Sequence, residues 1–461
     1  MAPERLASLD PRDHTGWVTD TFRDKSFWLS SRPYSPGPAL DGDLDVDVAI
    51  IGGGFTGLST AWFLKQAQPS LRVAILEAEV IGYGASGRNG GFSMTKLGMM
   101  HSITKLRFGR ARTIEAHEYA DRAVSLVRDL VDELGFDCDY EHPGFLWVAT
   151  SEKLARRLHA ELDLIDDLGI GGVERLDEAQ LAERIRSPLH VGGAWWEPNC
   201  GILNPAKLAW SWRDAVAGIG VEVHESTPVT SVQRVGDRTA LVTPNGWVRA
   251  DKVVFATNAW SHQFAPLKSK QVPVWTYIVL TEPLTAAQFD AIGWSGREGI
   301  EDFRDLVHYT RLTADNRIAF GGRDVGLGDG VSMDFDRDET MFAKLRADLI
   351  ATFPALRDIR FTHSWGGPVS VPLDLFPAIG HAGGRDWVYS LGCVGHGVST
   401  THLHGQTLAD LVLERDTDLT QTFFVDRKVL PIPPDPLRRP VIRAITEAMR
   451  WDDRRHDVMP N

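Results

Sequence analysis

The sequence predicts an α/β fold in which one βαβ-type domain is interrupted by a second lobe and resumed near the C-terminus. Three observations predict it. From Asp47 a strand, VAII, a glycine-rich turn, a helix through Phe63 and a second strand at 72–76 follow one another, the order of a βαβ unit. A second strand, turn and helix, WVYSLGCVGHGVSTTHLHGQTLADLVL, comes only at 387–413. Between them lie long apolar strands at 271–280 and 307–322, which have no place in the first unit and read as a different sheet.

Each element has its own signal. Residues 1–44 are polar and Pro-rich, ending in SRPYSPGPALDGD, and read as an arm over the first domain in which no catalysis is expected. Between 110 and 220 the pattern is mostly helical: Val127, Leu130 and Leu134 share one face, as do Leu154, Leu158, Leu162 and Ile165. GFLWVAT and GAWWEP interrupt it as strand-like pieces. VTSVQRVGDRTALVTPNGWVRADKVVFAT reads as three short strands turning at GDR and NG, then an apolar strand at 253–256 and a loop at Thr257 and Asn258. A helix is expected near 338–353, and the basic C-terminal segment reads as a helix on the protein's own surface. The expected boundaries are an arm at 1–44, a discontinuous first domain at 45–135, 200–262 and 366–415, a second lobe at 136–199 and 263–365, and a tail at 416–461. No fixed-period repeat is present, which excludes a solenoid.

Composition narrows the function. With 461 residues and 43% hydrophobic content, two or three packed lobes with a buried cleft are expected. A net charge of -13, from 49 basic and 62 acidic residues without a dense basic run, argues against nucleic acid. Cys138, Cys200 and Cys393 are dispersed and form no CxxC or Cys/His cluster, so no disulfide framework and no metal are expected. The N-terminus has no apolar signal core, and no stretch reads as a membrane span; the cytoplasm fits best.

Gly52, Gly54 and Gly57 form GxGxxG between strand and helix. The first permits a sharp turn, the second a close approach to phosphate, and the third tight helix packing. Glu77, twenty residues beyond Gly57 and followed by Ala78, ends the second strand, where a carboxylate can accept ribose hydroxyls and repels a 2′-phosphate. This predicts an adenine dinucleotide, with Phe55 and Thr56 inside the turn. Three further features favour FAD over NAD: the turn GYGASGRNGGFS, where Ser86, Arg88, Asn89, Gly90 and Gly91 offer donors to a flavin's polar edge; the detour before VVFATNAWS; and the GCVGHGVSTT turn. There the backbone near His396, Gly397 and Val398 opens a second helix N-terminus to a flavin's negative charge.

These residues resemble the D-amino-acid-oxidase (DAO) superfamily. The resemblance rests on IIGGGFTGLSTAWFL, GASGRNGGF, TEPL at 281–284, HSWGG at 363–367 and GHGV at 395–398, and covers about 30 through 440. It implies a Rossmann-like FAD-binding domain of the glutathione-reductase type, interleaved with an antiparallel-sheet substrate domain, and oxidation of an amine or amino acid. It also implies that Val229 meets adenine through its backbone and that Gly395, His396, Gly397 and Val398 lie on the pyrimidine side. Two departures stand out: Ser399 occupies a position that is basic in sarcosine oxidases, and HSWGGPVSVPLDLF lacks their flavin-linking cysteine. Simple sarcosine is disfavoured, and the FAD is expected to be non-covalent.

The expected reaction removes a hydride equivalent from the carbon bearing a neutral amine, giving an imine that hydrolyses, with O2 as electron acceptor. A dehydrogenase passing electrons to a quinone or carrier is the nearest alternative, and a non-catalytic FAD protein the other. Tyr309, in VHYTR, leads the pocket candidates by resemblance to an active-site tyrosine. Tyr277 and Trp365 follow it, and Arg311, on Tyr309's face, is a candidate for a substrate carboxylate or phosphonate. His308 alternates to the opposite face and is expected to be structural.

Overall fold

In the computed structural model, residues 20–327, 333, 335–434 and 436–456 are described. The chain enters through α1 (Phe27–Ser30), then β1 (Leu44–Ile51), α2 (Phe55–Ala67), β2 (Val73–Leu76) and the short β3 (Phe92–Ser93). Helices α3 (His101–Phe108) and α4 (Arg110–Leu134) lead to β4 (Phe145–Ala149), α5 (Glu152–Leu168), β5 (Glu174–Leu176), α6 (Glu178–Arg184), β6 (Val191–Glu197) and β7 (Gly201–Ile202). Next come α7 (Pro205–Gly218), β8 (Glu222–His224), β9 (Ser231–Val235), β10 (Arg238–Thr243), β11 (Gly246–Phe255) and β12 (Val272–Thr281). After α8 (Ala286–Ile292) follow β13 (Gly299–Asp302), β14 (His308–Leu312), β15 (Ile318–Gly322), β16 (Gly326–Leu327), α9 (Glu339–Thr352) and β17 (Phe361–Val371). The chain closes with β18 (Ala378–His381), β19 (Trp387–Leu391), α10 (Gly397–Val412) and α11 (Arg438–His456).

Two sheets organise these elements. In the first, β19, β11, β1, β2 and β8 are parallel neighbours, and β18 closes the β19 edge antiparallel. Val46 and the whole run Val48, Ala49, Ile50 and Ile51 are buried, as expected for a parallel sheet covered on both faces. Helices α2, α4, α7 and α10 supply apolar residues to one cluster, and the β9–β10 hairpin caps a second around Val46, Ala49 and Phe255.

The second sheet runs β16-β12-β15-β14-β13-β4-β6-β5, with β17 beside β12. Its pairings are antiparallel except β13 with β4. Helix α9 buries Phe342, Leu345 and Leu349 with Trp275, Tyr277 and Val279 on one face, whereas α5 covers Trp147 and Trp195 on the opposite one.

Two sequence expectations change. The boundary at 365/366 falls inside β17, which pairs with β12 from Phe361 to Val371, so the second sheet keeps the chain beyond it. The third short strand and the apolar strand at 253–256 are one continuous β11, because its first half pairs with β10 and its last with β19. The described part of the arm packs against the first domain. Trp28 and Leu29 are buried, Tyr34 Oη donates to the buried carboxylate of Glu225 at 2.8 Å, and Ser26 Oγ donates to the Gly87 carbonyl at 2.6 Å. Helix α11 docks on the second lobe, where Arg450 donates to Asp324 and Asp453 accepts from the amides of Asp305 and Leu306.

Candidate functional site

The carboxyl ends of β1, β2, β11 and β19 open on one cleft, where parallel sheets place ligands. Gly52 leaves β1 with φ +109, and a Cβ there would lie 2.6 Å from the Ala256 carbonyl oxygen. At Gly57 a Cβ would lie 2.1 Å from the Gly52 oxygen, so only glycine lets α2 sit this close to the turn. Helix α2 starts after Gly54, which has no side chain to cap it, and has no acid in its first turn; the Phe55 amide is taken by Ser86 Oγ at 3.0 Å. At the end of β2, Glu77 accepts from the amides of Gly53 at 2.6 Å and Glu79 at 3.0 Å, and burial pushes its pKa up to about 7. The Thr227 amide donates to the Glu77 carbonyl at 2.8 Å, which brings half-buried Val229 alongside. Asn258 follows β11 with φ +39, and Thr257 Oγ1 and Ser261 Oγ are 2.8 Å apart.

Helix α10 packs beside α2. A Cβ on Gly405 would lie 2.6 Å from Ser59 Cβ, and Ser59 Oγ donates to the His402 carbonyl at 2.7 Å. Its first turn, after Gly395 (φ +89) and His396, also lacks a side-chain cap and acids. His396 Nδ1 is buried with no hydrogen-bond partner among the described residues, and burial drives the imidazole pKa well down. Two adjacent open helix N-termini, a glycine cradle and an unpaired ring nitrogen fit a pyrophosphate-linked ligand with an electron-rich ring.

The turn at 85–91 is pinned from all sides. Ser86 Oγ accepts from the Phe55 amide at 3.0 Å, bridging the turn to α2. Asn89 folds inward: Nδ2 donates to the Ala85 carbonyl at 2.9 Å and Oδ1 accepts from Gly91 N at 2.7 Å. Arg88 turns back over Tyr83, donating to its carbonyl at 2.8 Å, and is 2% exposed. The side chains of Arg88 and Asn89, expected as donors toward a flavin edge, are thus engaged inside the protein.

Four candidates on the second sheet separate by the alternation of its strands. Tyr309 is half-buried with its ring beside the turn: a Cβ on Gly90 would lie 3.3 Å from Tyr309 Cε2. Burial pushes its phenol pKa well up. Tyr277 lies on the far face, edge-on to Phe342 of the α9 core, with burial pushing its pKa up to about 12. Strand alternation turns it away from the cleft, which corrects its candidacy. Trp365 faces the correct way but is buried, and its Nε1 donates to the Arg88 carbonyl at 2.8 Å, supporting the turn from behind. Arg311 is 1% exposed, with Nε on the Leu312 carbonyl at 3.0 Å and Nη1 on the Gly91 and Leu203 carbonyls at 3.0 and 2.5 Å. It holds the backbone of the turn and is not presented to a substrate carboxylate. His308 lies on the opposite face as expected, buried between Asp302 at 3.0 Å and Asp348 at 3.1 Å. Ser399 is buried and donates to the Met94 carbonyl at 2.9 Å.

The structure also brings together residues that sequence reasoning missed. Glu301 is the cross-strand partner of Tyr309, and Trp147 is the parallel partner of Glu301, so all three project on one face. Lys96 closes the group, 3.3 Å from Glu301 and 4.2 Å from the centre of the Trp147 ring. A lone lysine five residues after GRNGG carries no spacing signal. Only the register of β4, β13 and β14 makes it a neighbour.

The family model described as FAD dependent oxidoreductase (DAO) matches residues 47–411. Gamma-glutamylputrescine oxidoreductase of Escherichia coli (strain K12) is 30% identical over 385 residues, 83% of this chain and 87% of that one. Glycine oxidase of Pseudomonas aeruginosa is 26% identical, covering 80% of this chain and 95% of that one. Among solved structures, glycine oxidase from Geobacillus kaustophilus superposes with a TM-score of 0.70 at 22% identity, covering 84% of this chain and 100% of that one. The chain belongs to the DAO family of FAD-dependent oxidoreductases, an enzyme family of amine and amino-acid oxidases.

Proposed function

We propose that this enzyme oxidises the carbon–nitrogen bond of a small amine or N-substituted amino acid. The observation that carries the reading is the position of Tyr309, half-buried with its ring edge beside Gly90 of the 85–91 turn. FAD held there would supply a two-electron acceptor for the C–N oxidation, with O2 as the terminal acceptor, reduced to H2O2. The balance is amine, O2 and water going to a carbonyl compound, ammonia or a primary amine, and H2O2.

The chain's own residues do the rest. Gly52, Gly54, Phe55, Thr56, Gly57 and Ser86 would hold the pyrophosphate against the start of α2. Glu77, Ala78 and Val229 would hold the adenosine, with Thr257 and Asn258 lining the same cleft. The turn formed by Arg88, Asn89, Gly90 and Gly91, and the backbone of Gly395, His396, Gly397 and Val398, would face opposite edges of the flavin. The walls beside Tyr309 are Phe92 and Phe145, whose rings meet edge to face. A dry aromatic wall disfavours an ammonium, lowers the amine pKa and leaves the nitrogen lone pair to support the developing C=N bond. The phenol of Tyr309 stays protonated and can donate to that site or orient the substrate.

The test is the visible spectrum of the anaerobic holoenzyme with amines added in turn. Bleaching of the flavin band supports the reading, and peroxide on admitting air identifies O2 as acceptor. A flavin that no amine bleaches overturns it, and bleaching without peroxide in air points to a different acceptor.

A further inference from the structure

The carbonyls of the 85–91 turn are held by side chains from two directions. Ser26 Oγ donates to the Gly87 carbonyl at 2.6 Å, Trp365 Nε1 to that of Arg88 at 2.8 Å and Trp28 Nε1 to that of Asn89 at 2.9 Å. Arg311 Nη1 donates to the carbonyls of Gly90 and Gly91 at 3.4 and 3.0 Å. Donors from the N-terminal arm, Ser26 and Trp28, thus alternate with donors from the second lobe, Trp365 and Arg311. The arm's indole is itself fixed: Trp28 is 1% exposed, and its ring meets Trp365 edge to face with 6.1 Å between centres.

The amides of the same residues are matched inside the protein with one exception. Gly87 N donates to the Gly84 carbonyl at 3.4 Å, Arg88 and Asn89 N to the Ala85 carbonyl at 3.2 and 3.1 Å, and Gly91 N to Asn89 Oδ1 at 2.7 Å. The Gly90 amide has no acceptor among the described residues. It shares its peptide plane with the Asn89 carbonyl, and in a trans peptide the C=O and N–H point in opposite directions. The bond from Trp28, the one donor to that carbonyl among the described residues, therefore sets where the free N–H points. Gly90 is half-buried beside Tyr309, so its N–H is directed away from the arm on a residue that keeps part of its surface open.

We propose that Trp28 is a positioning residue for the flavin: by holding the Asn89 carbonyl it aims the Gly90 N–H at an acceptor on the flavin's polar edge. This rests on FAD lying beside the 85–91 turn and not on which amine is oxidised. A fixed donor at the ring stabilises the negative charge gained on reduction more than it stabilises the neutral oxidised ring. The arm, which lies outside the βαβ unit, thereby raises the electron affinity of the cofactor without touching it. Loss of the indole N–H leaves the Asn89 carbonyl without its donor and frees the peptide to turn.

The test is the affinity of the oxidised holoenzyme for sulfite, followed by bleaching of the flavin band. Sulfite bonds through its sulfur lone pair to the ring and leaves negative charge there, so its affinity reports the donors around the ring with no amine present. Trp28→Phe, which keeps an aromatic ring and loses the N–H, is expected to weaken sulfite binding roughly fivefold to tenfold. Tyr34→Phe removes the arm's 2.8 Å bond to Glu225 and leaves the Trp28 bond in place. It is expected to lower the unfolding temperature while sulfite affinity stays within about twofold of wild type. Unchanged sulfite affinity in Trp28→Phe, or an equal loss in both variants, overturns the proposal. Hydrogen exchange of the wild-type holoenzyme at single-residue resolution needs no variant. A Gly90 N–H protected as well as that of Gly91 supports the proposal, and exchange at the rate of an unstructured glycine overturns it. Neither measurement uses an amine, so failure here leaves the proposed oxidation standing.

Discussion

The guanidinium of Arg311 donates through Nη1 to the carbonyl of Gly91 at 3.0 Å, and so ties a strand of the second sheet to the turn that faces the dinucleotide cleft. The same nitrogen reaches the Leu203 carbonyl at 2.5 Å, and the group lies 5.2 Å from the ring centre of Trp28 in the arm. An arginine of this kind stabilises one backbone conformation and is not available to a ligand.

Arg311→Met is therefore expected to take the Nη1 donor from the buried Leu203 carbonyl, while the Gly91 carbonyl keeps the Leu203 amide at 2.9 Å, at a cost of roughly 1–3 kcal/mol. Thermal unfolding and the flavin content of the purified variant should both fall. If Arg311 instead held a substrate carboxylate, KM would rise with unfolding unchanged, an outcome that would sink this assignment.

Tyr309 and Tyr277 should part company. Tyr309→Phe is expected to lower kcat/KM for the best amine by roughly tenfold, the loss of one oriented hydrogen bond, with flavin content unchanged. Tyr277→Phe should stay within about twofold of wild type, because the ring packs on the α9 core away from the cleft. Steady-state kinetics on both variants with one substrate decides the matter.

Gly57→Ala tests the packing of α2. A Cβ there meets backbone at 2.1 Å, an atom that cannot rotate away. The variant is expected to be destabilised by roughly 3 kcal/mol or more and to purify without flavin, read by absorbance and thermal unfolding. A yellow protein of wild-type stability would contradict the close approach seen here.

Glu197 gives a pH prediction. Burial pushes its pKa up to about 7, so between the ordinary carboxylate value and about pH 7 the folded chain keeps a proton that the unfolded chain has released. Stability from this group accordingly falls as pH rises through that window and is level above it. The groups that act on it are Lys96, Thr95, Cys200 and Trp147. Glu197→Gln removes the dependence and should gain about 3 kcal/mol relative to wild type between pH 4.5 and 8. Denaturant unfolding across that range measures it, and parallel curves for the two proteins would refute it.

Much of the first domain was legible because its signals are local. Gly52, Gly54, Gly57 and Glu77 sit at fixed spacings along one βαβ unit, and the structure returns β1, α2 and β2 within a residue or a few of where the pattern placed them. The substrate lobe was legible as strands but not as faces. VPVWTYIVL is apolar at nearly every position and both of its faces are buried, so hydrophobicity alone cannot tell whether Tyr277 or Thr276 looks at the cleft. Helix α9, more than sixty residues later in the chain, covers one face and decides it. Arg311 misled for the same reason, since a charged residue on the correct face was read as free when its partners are backbone carbonyls from 91 and 203.

By itself the sequence determined the βαβ unit, the glycine cradle, the second strand–turn–helix near the C-terminus and the resemblance that names the cofactor, because spacing within one short segment limits what that segment can build. Tertiary structure alone decided that the arm holds the 85–91 turn, that Lys96, Glu301 and Trp147 meet beside Tyr309, and which face of each strand sees the cleft. Those facts depend on strand register and on which helix covers which face, set by packing between segments as far apart in the chain as Lys96 and Glu301.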